Sequence, residues 1–201
     1  MYAIVESNKI KELIRNPKSL VINDVMYPSN IFGNWSVSEL EAIGIYVVNF
    51  DNTNYKDPSW YTNTDQTFTF ASNKVTASYG DATAKSITDT LYTAQDETDG
   101  IGIEGQVKNE GLKTKFKRGI NANAGGLLQP YDWYSLREME GGTAMPSNIK
   151  TWRANVRAKA NEMCTKIDAC SDVDALATLY DYVDDGSGNY TRPLGEFPEL
   201  S

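Results

Sequence analysis

Six apolar residues, Ile149, Trp152, Val156, Ala160, Met163 and Ile167, recur at intervals of three and four. Residues so spaced share a face only on an α-helix, here one of about six turns at 3.6 residues each. The chain must therefore supply a long helix and an apolar surface for its stripe to lie on. Arg153, Arg157 and Lys166 are expected on the opposite, solvated face. Cys170 should mark a corner, because Ser171 with Asp174 reads as a capping-box-like start and Val173, Leu176, Leu179 and Tyr180 form a second, shorter stripe. Upstream, Leu112, Phe116 and Ile120 recur every fourth residue, predicting a further helix that the glycine-rich run Asn121 to Gly126 ends.

The first ninety residues have a different texture, with short alternating runs and frequent turn formers. Strands are expected at Tyr2 to Val5 and Leu20 to Ile22, with Asn16-Pro17 and Asn23-Asp24 as turns. Phe68 and Phe70, then Val75, Ala77 and Tyr79, alternate with polar residues around Ser72-Asn73, which predicts a hairpin. One short helix interrupts the strands: Ser36 and Glu39 form a capping box, and Gly44 is placed to stop it before the β-rich IYVVNF. The fold class is thus α+β, a small strand-rich N-terminal region with one short helix followed by a C-terminal helical module and an extended tail. The expected boundaries are residues 1–90, a linker over 91–104, the helical module over 105–183 and an extended arm over 184–201. Tyr190, Leu194 and Phe197 give that arm apolar groups with which to dock on something.

Between the two helical stripes, residues 127–157 concentrate two of the four tryptophans, two prolines and a glycine pair. Pro130 and Pro146 each suit the start of a helix, so a short helix from about Tyr131 to Met139, closed by Gly141-Gly142, is expected between them. Trp133 and Trp152 are then expected to meet across the turn, each burying on the order of 150–250 Å². Asp132 is expected either to accept hydrogen bonds from helix N–H groups or to pair with Arg153 or Arg157. A packed corner, rather than a reactive carboxylate, is the reading these residues favour.

The same residues carry a resemblance. Leu127-Leu128, Asp132-Trp133, Arg137, Thr143, Pro146, Trp152-Arg153 and Arg157 look like a C-terminal module of bacteriophage tail proteins. Similar segments, a leucine pair and a Thr/Ser-Asp-Trp followed by a Tyr-Arg helix, occur in the phage tail assembly chaperone family and at the ends of tail-fibre and other virion proteins of marine phages. Trp152 stands where that pattern usually has Tyr, and Tyr131 where it usually has Thr or Ser. The resemblance covers about half of the chain, mostly residues 105–197, with SELEAIGIY and RPLGEFP also similar. It implies a non-enzymatic virion structural protein, made in the host cytoplasm and resident in the tail, first as a tail fibre or fibre adaptor. Its implied partners are other virion proteins and further copies of itself. A tail assembly chaperone and a capsid decoration protein are the alternatives.

Composition narrows the remaining chemistry. A net charge of −8 argues against nucleic acid as the main partner, because phosphate neutralisation needs surplus Lys and Arg. No run of about 18 apolar residues exists, and the apolar stretch after Met1 is too short for a signal segment, so no membrane is expected. The chain has no His, the commonest general base and transition-metal ligand. No catalytic, cofactor-binding or metal site is expected. Cys164 and Cys170, six apart, lie about 9 Å apart along a helix and on different faces, so free buried thiols are expected. GIGIEG at 100–105 fits G-x-G-x-x-G but lacks the preceding strand and the later acid of a dinucleotide site. Lys113, Lys115, Lys117 and Arg118 read as a solvated helix face, and Asp181, Asp184 and Asp185 fail the EF-hand spacing. Tyr55, Trp60 and Tyr61, with Asp51, Asp57 and nearby Asn, are candidate receptor-facing residues for a host surface glycan, against a plainer role in covering the small β core. A tail-associated glycosidase or lyase is the enzyme alternative, and it requires Asp51 and Asp57 to converge in a cleft.

Overall fold

A computed structural model describes residues 1–200. The chain forms two compact units, Met1–Thr83 and Ala84–Ser201. Both strands and helices are present, a mixed α+β class.

The first unit is built on a five-stranded sheet. Its strands are β1 (Tyr2–Glu6), β2 (Lys9–Ile14), β5 (Ile45–Asp51), β7 (Gln66–Ala71) and β8 (Lys74–Tyr79), in the order β2-β1-β5-β8-β7. The pairs are antiparallel except β5 with β8, which is parallel. The hairpin β3 (Leu20–Ile22) and β4 (Val25–Tyr27), and the helices α1 (Ile31–Asn34) and α2 (Val37–Ala42), lie between β2 and β5 in sequence. β6 (Tyr61–Thr62) precedes β7, and β9 (Thr83–Ala84) lies at the passage to the second unit. The edge strands β2 and β7 touch, so the sheet is curled.

Three hairpins turn on residue pairs with positive φ, Ser7-Asn8, Asn23-Asp24 and Ser72-Asn73. Two-residue turns of this kind match the right-handed twist of the strands they join. β2 was not expected, and its register explains why. Val5 pairs with Ile10, but Ile4 pairs with Glu12, so Lys11 is an extra residue in a bulge. The bulge brings Ile10 and Leu13, three apart, to one face with Ala3, Val48, Val75 and Ala77, and strict alternation fails there. The other face packs Ile4, Ile14 and Ile45 against Leu20, Ile22, Ile31, Phe32 and Leu40. One helix was expected here; α1 is a second, anchored by the burial of Ile31 and Phe32. The capping box of Ser36 and Glu39 opens α2, and those hydrogen bonds hold the Glu39 carboxyl below its ordinary range. Gly44 then stops α2 with φ +85°, and a Cβ there would lie 2.9 Å from the Val5 carbonyl oxygen.

In the second unit, residues 91–104 are not a linker. β10 (Thr90–Leu91) pairs with β11 (Val107–Asn109), and α3 (Ala94–Thr98), capped reciprocally by Thr93 and Asp96, lies between them. The helices that follow are α4 (Leu112–Leu128), a single 3-10 turn (Gln129–Tyr131), α5 (Asp132–Met139), α6 (Ser147–Ala169) and α7 (Val173–Thr178). α4 does not stop at its glycine-rich run. Ile120 and Ala124 are buried, and α4 packs along α6, so tertiary contact outweighs a glycine cost of about 1 kcal/mol each. The α6 stripe, Ile149, Trp152, Val156, Ala160, Met163 and Ile167, is buried throughout. α7 is capped by Asp172 rather than Ser171: the Asp172 carboxylate accepts the Ala175 N–H, and Ser171 supports it.

Residues 184–200 are not extended throughout. A short hairpin, β12 (Val183–Asp184) and β13 (Tyr190–Thr191), is followed by a return onto the helices in which Leu194 is fully buried. The tail therefore docks within its own unit. Among the described residues no helix is long and apolar enough to cross a membrane.

Candidate functional site

The corner between α4, α5 and α6 gathers most of the residues singled out in the sequence. Asp132 gives its backbone N–H to the Gln129 carbonyl, closing the 3-10 turn at Pro130 and leaving the Leu128 carbonyl without that helical partner. Arg153 supplies a side-chain donor there. Its Nη1 donates to the Leu128 carbonyl at 2.8 Å, and its Nη2 donates to Asp132 Oδ1 at 2.6 Å. One guanidinium thus joins the end of α4 to the start of α5, each at the pole of the helix dipole that favours its charge. Arg153 does not lie on the solvated face of α6. It sits next to Trp152, four residues after Ile149, and only 6% of it is exposed, because the Leu128 carbonyl and Asp132 supply what water would otherwise give.

The two indoles do not meet. Tyr131 takes the expected place of Trp133, its ring 5.1 Å from Trp152 and nearly perpendicular to it. Trp133 follows Tyr131 by two residues, about 200° around a helix at 100° per residue, so it points away. Its ring stacks on Tyr134 at 3.8 Å, with the Arg137 guanidinium 4.9 Å from the indole centroid. Arg137 also donates to the carbonyls of Thr143 and Ala144 and so fixes the loop into α6. Trp152 is buried, and its Nε1 donates to the Pro198 carbonyl at 2.8 Å.

This construction holds α5 with no buried residue of its own. Trp133 (49% exposed), Leu136 (59%) and Met139 (83%) follow one another at intervals of three, with Leu127 also exposed beside the corner. An apolar stripe is therefore presented to solvent on a fixed helix. Next to it is an open cavity of about 280 Å³ lined by Glu138, Met139, Met145, Lys150, Arg153 and Arg157. Arg157 is exposed, with a long 3.4 Å hydrogen bond to the Arg153 carbonyl. Leu136, Met139 and Lys150 were missed in the sequence, although the spacing from Trp133 was there to be read.

The remaining candidates are spread elsewhere. Of the tail residues, Phe197 is half-buried, whereas Tyr190 is exposed and unpacked. Lys113 donates to the Asp168 carbonyl and Lys117 pairs with its carboxylate at 2.7 Å, so these cations meet the C-terminal end of α6. Arg118 pairs with Glu110. In the first unit Tyr61 is buried, which removes it from any receptor-facing surface; Lys56 lies over its ring at 4.2 Å. Trp60 is half-buried, and Tyr55, half-exposed, packs its ring 5.0 Å from Tyr79. The loop closes on itself through Asn63, whose side chain bonds both backbone groups of Lys56.

Asp51 accepts the N–H and hydroxyl of Thr53, which hold its carboxyl below the ordinary range, the reverse of what a general acid needs. Asp57 accepts the Ser59 N–H. The Asp184 and Asp185 carboxylates bind N–H groups of their own Gly-rich turn. Among the described residues no group of three or more Cys, Asp or Glu is arranged to hold a metal ion. GIGIEG follows a helix instead of a strand. Cys164 and Cys170 are free thiols, raised above their ordinary range by burial. Compared with known protein families, curated proteins and solved structures, the chain matches none.

Proposed function

We propose that this chain is a structural component of a bacteriophage virion, a tail fibre or fibre-adaptor protein that works by assembly with other virion proteins and not by catalysis. The location rests on the resemblance of Leu127-Leu128, Asp132-Trp133 and Trp152-Arg153 to the phage tail module. The mode of action rests on one observation, the solvent-facing stripe of Trp133, Leu136 and Met139 on a helix that Arg153 and Tyr131 hold in place. A side chain as large as Trp133 left half open, with its loop and neighbours fixed, suits a surface made for a partner. Mass spectrometry of purified virions tests the reading. A tail subunit is expected in the particle at a copy number that fits tail symmetry. Absence from particles makes it an assembly chaperone, and a copy number matched to the capsid lattice makes it a decoration protein; either overturns the tail assignment.

A further inference from the structure

Charge is unevenly divided along the chain. Residues 105–169 carry eleven Lys and Arg against six Asp and Glu, a net +5, whereas residues 1–104 carry seven against fourteen, a net −7. Residues 170–201 carry one against seven, a net −6. An acidic chain thus contains a basic helical core, and that core bears the exposed stripe of α5.

The loop from α3 to β11 has the complementary character. Ile101 and Ile103 are 58% and 56% exposed, and Asp96, Glu97, Asp99 and Glu104 surround them without a cation between. Among the described residues only Asp96 of these four is ion-paired, with Lys108. Thr93, Asp96 and the β10–β11 pairing anchor the base of the loop. Two isoleucines open to water, flanked in sequence by Asp99 and Glu104, form an apolar plug with acidic neighbours. The α5 stripe adjoins a cavity where Arg157 and Lys150 outnumber the one carboxylate, Glu138, 4.0 Å from Lys150, so it is an apolar seat with a net basic edge.

We infer that the occupant of the α5 stripe is a second copy of this chain, whose Ile101–Ile103 loop seats on Trp133, Leu136 and Met139 while Asp99 and Glu104 face Arg157 and Lys150. Plug and seat are different surfaces of one unit, so the contact is head-to-tail and each pair of copies keeps one free plug and one free seat. This names a partner for the assembly reading and rests on that reading for its purpose.

The test is a mixing experiment on the full chain by sedimentation velocity at concentrations on the order of 100 µM, suited to a small interface. Wild-type protein is expected to associate beyond a dimer, and more weakly by about 3- to 10-fold on going from roughly 50 to 500 mM NaCl. Ile101→Ser/Ile103→Ser has no plug and Leu136→Glu/Met139→Glu has no seat, so each alone is expected to be monomeric with unchanged far-UV circular dichroism. Mixed, they retain one plug and one seat and are expected to form a 1:1 pair that stops at two copies. Should the α5 double variant lose helicity, Met139→Glu alone, at the most exposed position of the stripe, replaces it. A monomeric wild type, or a mixture that stays monomeric, overturns the inference. Presence in virions together with a monomeric wild type rejects self-pairing and leaves the virion reading standing.

Discussion

Replacing Asp132 with Ala leaves the Arg153 guanidinium, 7% exposed at its side chain, with the Leu128 carbonyl as its remaining partner of the two. A hydrogen bond to a charged group contributes about 1.5–3 kcal/mol. Asp132 is 56% exposed, so water and salt screen part of this, and about 1–2 kcal/mol is the expected loss. Arg153→Met removes the buried cation, keeps much of the apolar stem and releases Asp132 to water. Its main cost is the charged hydrogen bond lost from the Leu128 carbonyl, about 1.5–3 kcal/mol. In the double variant the Asp132 substitution has no cation left to strand. Only its favourable placement at the start of α5 is then lost, about 0.3–1 kcal/mol. The double-mutant cycle should therefore give a coupling of about 1 kcal/mol, with the pair of substitutions costing less than their separate sum. Urea unfolding followed by the fluorescence of buried Trp152, with far-UV circular dichroism alongside, measures it. Additivity within about 0.3 kcal/mol would refute the joining role given to Arg153.

Trp152→Phe keeps the ring against Tyr131 but removes the donor to Pro198, so residues 193–200 should gain hydrogen exchange and proteolytic susceptibility while α6 keeps its protection. Gly111→Ala should lower the melting temperature markedly. A Cβ there lies 2.4 Å from the Thr88 carbonyl, a clash with backbone that overpacking data put at about 1–3 kcal/mol. Asp96 is lowered to about 2, first by its bond to Lys108 and then by the Thr93 N–H and hydroxyl. A depressed carboxyl contributes stability above its unfolded value that is lost as pH falls through the folded one. The acid limb of unfolding should thus extend over about pH 4 to 2 and become shallower in Asp96→Asn, as measured by circular dichroism during acid titration.

Where the sequence was legible, one local rule acted alone. The α6 stripe follows the helical period without interruption, and Asn23-Asp24 and Ser72-Asn73 stand between runs whose strands need a tight turn. Legibility failed where a distant contact reversed a local preference. Lys11 bulges and puts Ile10 in phase with Leu13; Gly119, Gly125 and Gly126 stay helical because Ile120 and Ala124 are packed. Arg153 turns inward because the Leu128 carbonyl and Asp132, more than twenty positions away, accept its hydrogen bonds, and no pattern in its own helix records that. The tail reads as an extended arm because its partners on the helices lie far off in sequence, as with Trp152 and Pro198, forty-six positions apart. At the corner, Leu128, Asp132, Trp152 and Arg153 do come together, but the exposed member is Trp133, and Tyr131 does the packing expected of it.

On the proposed reading, the corner holds the α5 stripe ready for a partner. Methionine oxidation by peroxide, mapped by mass spectrometry in the free chain and in assembled material, tests it most directly. Met139 is 83% exposed and Met163 1%, so in the free chain Met139 should oxidise quickly and Met163 slowly. On assembly Met139 should become protected while Met163 is unchanged. Met139 oxidising at the same rate in both states would contradict the account.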